Sequence, residues 1–440
     1  MNFAEIKDLV FDWQQKREID AAEIYFFQEN GLKISKKDQK LETFQPYQES
    51  GLAIRIIQHG ALGFSYTTSL SPEDIEKTAE RALEMALNMP AEGASFPSPG
   101  EYPSLSPPER ELLTPEEALE RLEKVEKEAL SFDKRIKRIQ EAGFHDARGE
   151  IFLANTNGID VSWRYRSSSL VAVVIAMVGQ EAQMGWEWRA ALFPEEVYPE
   201  EIGKNAARRA VLRLGAKSAP SRKLPVLLPP EIAADFLELV AEALSGDNIL
   251  KKKSILADKL GQKVFSSQVT LVDNGVLVDA LGSRPFDDEG CPQSETILIQ
   301  EGLLEGFLFN YYWGQKVGRN STGNARRPNF KNPPEIGLTN FYLAPGEHSK
   351  RELLAAYPEV LEVLEVLGMH TADPYSGDFS VGISGLLHKQ EGATPLSGMA
   401  LSGNIFDLFQ KVEALGNDLT FYGKIGSPSI LIGELDLAGN

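Results

Sequence analysis

Apolar residues recur at helical spacing from about Phe3 to Lys16, with Ile6, Leu9, Val10 and Trp13 on one stripe, which predicts an amphipathic helix. The period then shortens. Ala22 to Phe27 is rich in aromatic and β-branched residues, Asn30-Gly31 reads as a turn, and Leu32 to Ser35 alternates as a strand should. Gly51 to Ile57 and Ala61 to Tyr66 form a second predicted hairpin, turning at His59-Gly60. Ser71-Pro72-Glu73-Asp74 carries the start signal of a helix running to about Asn88, with Ser at the cap, Pro in the first turn and acids behind it. Residues 89–108 lose all periodicity and become rich in Pro, Gly and Ser, which predicts a linker or a surface-hugging loop. Thr114-Pro115-Glu116-Glu117 caps a further helix to about Ser131.

Residues 134–193 alternate through a long antiparallel meander, with Asn157-Gly158 as its clearest hairpin dipeptide. Trp186 and Trp188 share a strand face there, and packing is a simpler reading for them than a binding platform. A helix from Pro199 to Leu214 follows, then a polar hinge at 217–223. Beyond it lie a strand at 224–228, a helix from Pro230 to Leu244 stopped by Ser245-Gly246, and mostly strand and turn, interrupted by a helix at 405–414. Hairpins mixed with helices predict an α+β fold in two domains, with antiparallel sheets and helices packed against them. The N-terminal domain is expected over 1–220 and a β-rich C-terminal domain over 221–440.

Charge and cysteine content narrow the function classes. Asp and Glu number 64 against 45 Lys and Arg, a net charge of -19, and the best basic runs, Lys251 to Lys253 and Arg326-Arg327, are short. Such a surface repels phosphate backbones, so no direct nucleic-acid partner is expected. The single cysteine, Cys291, excludes an intrachain disulfide and fits a reducing compartment. No leader and no membrane span are read in the sequence, so a cytoplasmic protein is expected.

The five histidines form no metal-binding pair on a helix, and Cys291 has no second cysteine. No nucleophile elbow, Walker loop or dinucleotide fingerprint occurs. Three acids just before Cys291 raise its pKa and deactivate it. Two stretches stand out. In one, Arg284 accompanies Phe286, Asp287, Asp288 and Glu289, an arrangement that fixes a loop by ion pairing. In the other, Ser321, Thr322, Asn324 and Arg326 combine small hydroxyls, an amide and a cation that could bind a peptide carboxylate or backbone, or form a solvent loop or partner contact.

These two stretches, in this order, resemble the TldD/PmbA family. The resemblance extends along the chain through Gly51 to Arg55, Gly63 to Thr67, Ser254 to Gly261, Glu301 to Leu304, Gly377-Asp378-Phe379-Ser380, Ser402 to Asn404 and Gly416 to Asp418. Its TldD-like branch implies a zinc peptidase with His-Glu-x-x-x-His on a helix and a C-terminal cysteine ligand. By spacing back from Ser254, Leu237 and Glu242 stand at the two histidine positions, Glu238 at the general base, and Thr420 to Lys424 offers no cysteine. The chain therefore looks like the PmbA (TldE) branch. That implies no metal or other cofactor of its own, a TldD-like zinc protease as partner, or a homodimer, and unfolded peptide as substrate. Two alternatives remain open on the sequence. One is a stand-alone, metal-independent hydrolase using Glu238, Asp287, Asp288 or Glu289; the other is a regulatory protein acting on DNA gyrase. Within the family reading, Asp378 belongs with the loop residues of possible peptide-binding or structural role.

Overall fold

A computed structural model describes residues 1–439. The N-terminal half is built on one six-stranded antiparallel sheet: β1 (Ala21–Lys37), β2 (Lys40–Gln58), β3 (Ala61–Thr67), β4 (Ile136–Asn155), β5 (Asp160–Val178) and β6 (Glu181–Ala191), in the order β3-β2-β1-β4-β5-β6. Four helices cover one face: α1 (Phe3–Lys16), α2 (Pro72–Asn88), α3 (Pro115–Phe132) and α4 (Pro199–Leu212). Their starts follow the predicted caps. Ser71 accepts from the Asp74 backbone, and Thr114 and Glu117 form a reciprocal capping box. Even-numbered residues of β1, such as Ile24, Phe26, Leu32 and Ile34, bury against these helices. Odd-numbered ones, such as Tyr25 and Phe27, face the other way and meet Phe330 of the C-terminal half.

Asn30-Gly31 is not a turn. Both residues lie inside the unbroken β1, and the chain reverses at Asp38-Gln39, both at positive φ. Gly31 pairs with Tyr47 across the ladder, and a Cβ on Gly31 would fall 2.3 Å from the tyrosine ring. The glycine makes room for an aromatic ring across the strand.

The C-terminal half wraps one hydrophobic core. Strand β7 (Arg222–Leu228) joins strands Glu359–Leu367, Asp378–Lys389, Gly392–Asn404 and Ile430–Ala438 in a sheet that closes on itself through Ala400↔Ala438. A second six-stranded sheet includes Leu271–Asn274, Phe341–Leu343 and the short hairpin Thr420–Tyr422 and Ile425–Ser427, with Thr420–Tyr422 at its edge. Helix α5 (Pro230–Ala243) buries Ile232, Phe236, Leu237 and Val240 in this core. Ser245-Gly246 does not simply end the chain's helical run: a second short helix, Gly246–Leu250, starts directly after Ser245. The helix predicted to Ala414 stops at Gln410, and a strand begins at Val412.

Residues 89–114 form neither helix nor strand, yet they are tied at both ends of the molecule. Phe96 is buried, Asn155 and Asn157 donate to the Pro97 and Phe96 carbonyls, and the Tyr102 hydroxyl donates to Gly290 O at 3.0 Å. The proline-rich segment is a strap across both halves.

Gly31→Ala is expected to destabilise the fold by about 1–3 kcal/mol, an overpacking cost. In a Tyr47→Ala background the same change should cost much less. Urea unfolding of the four variants of this cycle measures the coupling, and additive effects would show that the ring does not fix the glycine.

Candidate functional site

The acidic stretch predicted as a loop clamp is buried. Glu23 on β1 stands directly opposite Arg55 on β2, and both of its oxygens accept from the guanidinium, at 2.6 and 2.7 Å. Arg55 reaches on to Glu289 at 3.1 Å, and Arg327 donates to Glu23 at 3.0 Å. The other oxygen of Glu289 accepts from Tyr311 N. Arg284 pairs with Asp288 at 2.9 Å, and Asp288 accepts from Arg327 N. Burial would raise Asp288, yet Arg284 holds it below the ordinary carboxylate range. Asp287 accepts from the backbone of Glu289, Cys291 and Ala325, while burial and Glu289 push it upward. Burial first, then Asp287 and Glu289, raise the Cys291 thiol. Phe286 is buried edge-on against Tyr102 of the strap. Asp287 and Glu289 are 0 and 2% exposed, so neither is placed to act on a substrate as the hydrolase alternative required.

The second predicted stretch divides. Ser321 and Thr322 bond to the Phe309 carbonyl, and Asn324 donates to Asp273 and Gly337 O, which braces the loop from within. Arg326 alone faces a cleft. Asp378 is exposed at the start of the strand Asp378–Lys389, accepts from Ser376 and Asn404, and does not line that cleft.

The cleft has a volume of about 690 Å³ and lies between α5, β6 and the hairpin Thr420–Tyr422/Ile425–Ser427. One face of α5 forms a wall: Glu231, Asp235, Glu238 and Glu242, at spacings of four, three and four. Leu237 is fully buried on the opposite side of the helix, so it does not share a face with Glu242; Glu238 does. Trp186 and Trp188 are half-buried on the facing wall and line the cleft as well as packing. Sequence periodicity showed their common face but not that the face lines a cavity. One end is closed by a charge ladder, in which Arg209 pairs with Glu187 at 3.0 Å and with Glu231 at 2.8 Å. Tyr422 donates to Glu231, and Arg189 lies over the Tyr422 ring at 4.1 Å.

The remaining acids have no cationic partner within 4.0 Å among the described residues. Asp235 is solvent-accessible but recessed, and burial, then Glu238 and Glu231, push it up to about 6. Glu242 is raised for the same reason, with Asp247 the largest charged contributor. Lys424 lies on the wall opposite, beside Arg326. Zinc sites are built mainly from His and Cys. Here the cleft offers neither, Leu237 points into the core, and among the described residues no three His, Cys, Asp or Glu side chains are grouped to hold a metal. The residues present do not fit a zinc ion.

The chain matches models of the PmbA/TldA metallopeptidases along most of its length: domain 1 over residues 22–86, the central domain over 109–214 and the C-terminal domain over 221–439. It is 26% identical to metalloprotease PmbA of Escherichia coli O157:H7, over 96% of this chain and 92% of that protein. It is 25% identical to a metalloprotease TldD homolog of Haemophilus influenzae, over 98 and 95%. A Thermotoga maritima structure, described as a candidate modulator of a DNA gyrase, superposes with a TM-score of 0.92 at 29% identity, covering 99% of this chain and all of that one. TldE from Thermococcus kodakarensis shares the fold at the same TM-score, 23% identity and the same coverage.

Arg55→Met should cost about 3–5 kcal/mol in urea unfolding, because it strands Glu23 and Glu289 without their shared cation; a loss below about 1 kcal/mol would show that the joint is dispensable. Asp235 gives a pH test. The folded chain holds its proton up to about pH 6, the unfolded chain only to near its ordinary value of 3.8, so stability falls as pH rises between these values. Asp235→Asn should therefore unfold at higher urea than the parent above pH 6, and the difference should close below pH 4.

Proposed function

The chain belongs to the PmbA/TldD metallopeptidase family, and on that premise we propose that it is a zinc-less, non-catalytic subunit that holds unfolded peptide for a zinc-bearing partner of the same family. The observation that carries this reading is the α5 wall, where Asp235, Glu238 and Glu242 face the cleft and no histidine does. By the family's spacing Glu238 stands for the general base, and no histidine beside it could hold a metal to activate water.

The cleft's construction supports peptide handling. Strand β6 is an edge of the N-terminal sheet, and Thr420–Tyr422 is an edge of a C-terminal sheet. The two edges meet where Arg189 stacks on Tyr422. An extended peptide can add to such an edge through main-chain hydrogen bonds, with Trp186 and Trp188 offering apolar contact to alternate side chains. Bond cleavage belongs to the partner in this reading, and positioning belongs to this chain. The partner is expected to carry His-Glu-x-x-x-His; a homodimer of this chain would hold peptide without cutting it. The acidic, dispersed surface charge provides no nucleic-acid face.

Peptide hydrolysis by the purified chain, its His-Glu-x-x-x-His paralogue and their mixture tests this. The chain alone should be inactive. The mixture should exceed the paralogue alone and lose that activity to a chelator. Turnover by this chain alone that survives chelation would overturn the assignment, as would two chains that neither associate nor alter each other's rates at micromolar concentration.

A further inference from the structure

Two cations in this acidic chain face the cleft without a carboxylate partner. Lys424 sits in a two-residue turn, Gly423-Lys424, between paired Tyr422 and Ile425. Gly423 adopts φ +64°, and a Cβ there would lie 3.1 Å from the Trp188 ring, so the turn is pressed against β6 and requires glycine. Lys424 O accepts from Phe341 N at 2.9 Å, which fixes the backbone beneath the side chain. Among the described residues, Lys424 Nζ has no hydrogen bond and no carboxylate within 4.0 Å. Arg326 likewise forms no ion pair; it donates to Gly282 O at 2.9 Å. Both residues, with Trp188 and Gly423, also line a second cleft of about 580 Å³ between the two halves, so they stand at the junction of two cavities.

We propose that Lys424 anchors the C-terminal carboxylate of a peptide lying in this cleft, with Arg326 supplying a second positive charge behind it. The proposal rests on the peptide-holding reading and gives it a direction: the chain end at Lys424, the preceding residues along the edge strands and the tryptophans. The ligand is a singly charged carboxylate rather than a phosphate. Asp235, Glu238 and Glu242 oppose the cations and disfavour a multiply charged anion, while edge-strand backbone and indole surfaces suit an extended peptide.

The pH response follows from the same groups. Lys424 is open to solvent but crowded by the surrounding walls, and that partial desolvation first, then Arg326 and Arg284, draws it down to about 8, against the pull of Asp288 and Asp273. Asp235, Glu238 and Glu242 face it from α5. The ammonium is therefore charged below pH 8 and loses its charge above it.

Calorimetric titration of the full chain with N-acetyl-tetraalanine, as free acid and as C-terminal amide, tests the anchor. At pH 7 the acid should bind about tenfold more tightly, the scale of one hydrogen bond to a charged group. Lys424→Met should bind both forms equally. Lys424→Arg should keep the preference at pH 9, where the parent chain has lost it. Equal affinity for the two forms in the parent chain overturns the anchor and leaves the peptide-holding reading standing. So does tighter binding of inorganic phosphate than of the acid. Failure of both peptides to bind, to the chain alone and to its mixture with the zinc-bearing paralogue, overturns both.

Discussion

The molecule depends on one buried joint, the carboxylate–guanidinium set Glu23, Arg55, Glu289 and Arg327. Taking four charges out of water is costly, and removing one partner leaves the others without compensation. The geometry is therefore fixed from both sides. Glu23 and Arg55 face each other only if β1 and β2 keep their register, since a slip of one strand by one residue would put the two side chains on opposite faces of the sheet. Glu289 and Arg327 arrive from the C-terminal half, so sheet register in one half sets the seating of the other. Arg326 and Arg327 are neighbours with opposite duties. The second enters the joint, and the first, on the other side of the same backbone, enters the cleft.

The cleft is thus a product of docking. Its α5 wall belongs to the C-terminal core, its tryptophans to the N-terminal sheet, and its floor to a hairpin that touches both. Helix α5 divides its labour by face, with Phe236, Leu237 and Val240 inward and the acids outward. The ladder Glu187–Arg209–Glu231 then ties α4 and β6 to α5 at one end.

Much of the fold was legible because its signals are local. Capping residues at Ser71 and Thr114 and the apolar stripe of α1 act within one or two turns of chain, and the helices begin where those residues say. Asn30-Gly31 misled because its partner, Tyr47, is not local: a glycine that clears space for a ring looks the same in sequence as one that turns the chain. The site was less legible for the same reason. Motif spacing placed Leu237 at a metal position, while the helix's rotation, set by core packing, buries it. The acidic run 287–289 stood out by composition, but only Glu23 and Arg55, more than 200 residues earlier, make it a joint. Lys424 carried no signal beyond the absence of a cysteine nearby; its significance comes from Arg326 and Trp188, which the sequence does not place beside it.

The strap over residues 89–108 has a consequence in time. Tyr102 bonds to Gly290, 188 residues further on, and Glu92 pairs with Lys316. During synthesis at about 5–20 residues per second, the strap waits roughly 10–40 s before its contacts on the second half exist. Through that interval the open face of the first sheet, with Glu23, Tyr25 and Phe27, lacks its partners from the second half. The nascent chain therefore passes through a stage at which a chaperone, or the same face of another copy, can compete with its own second half.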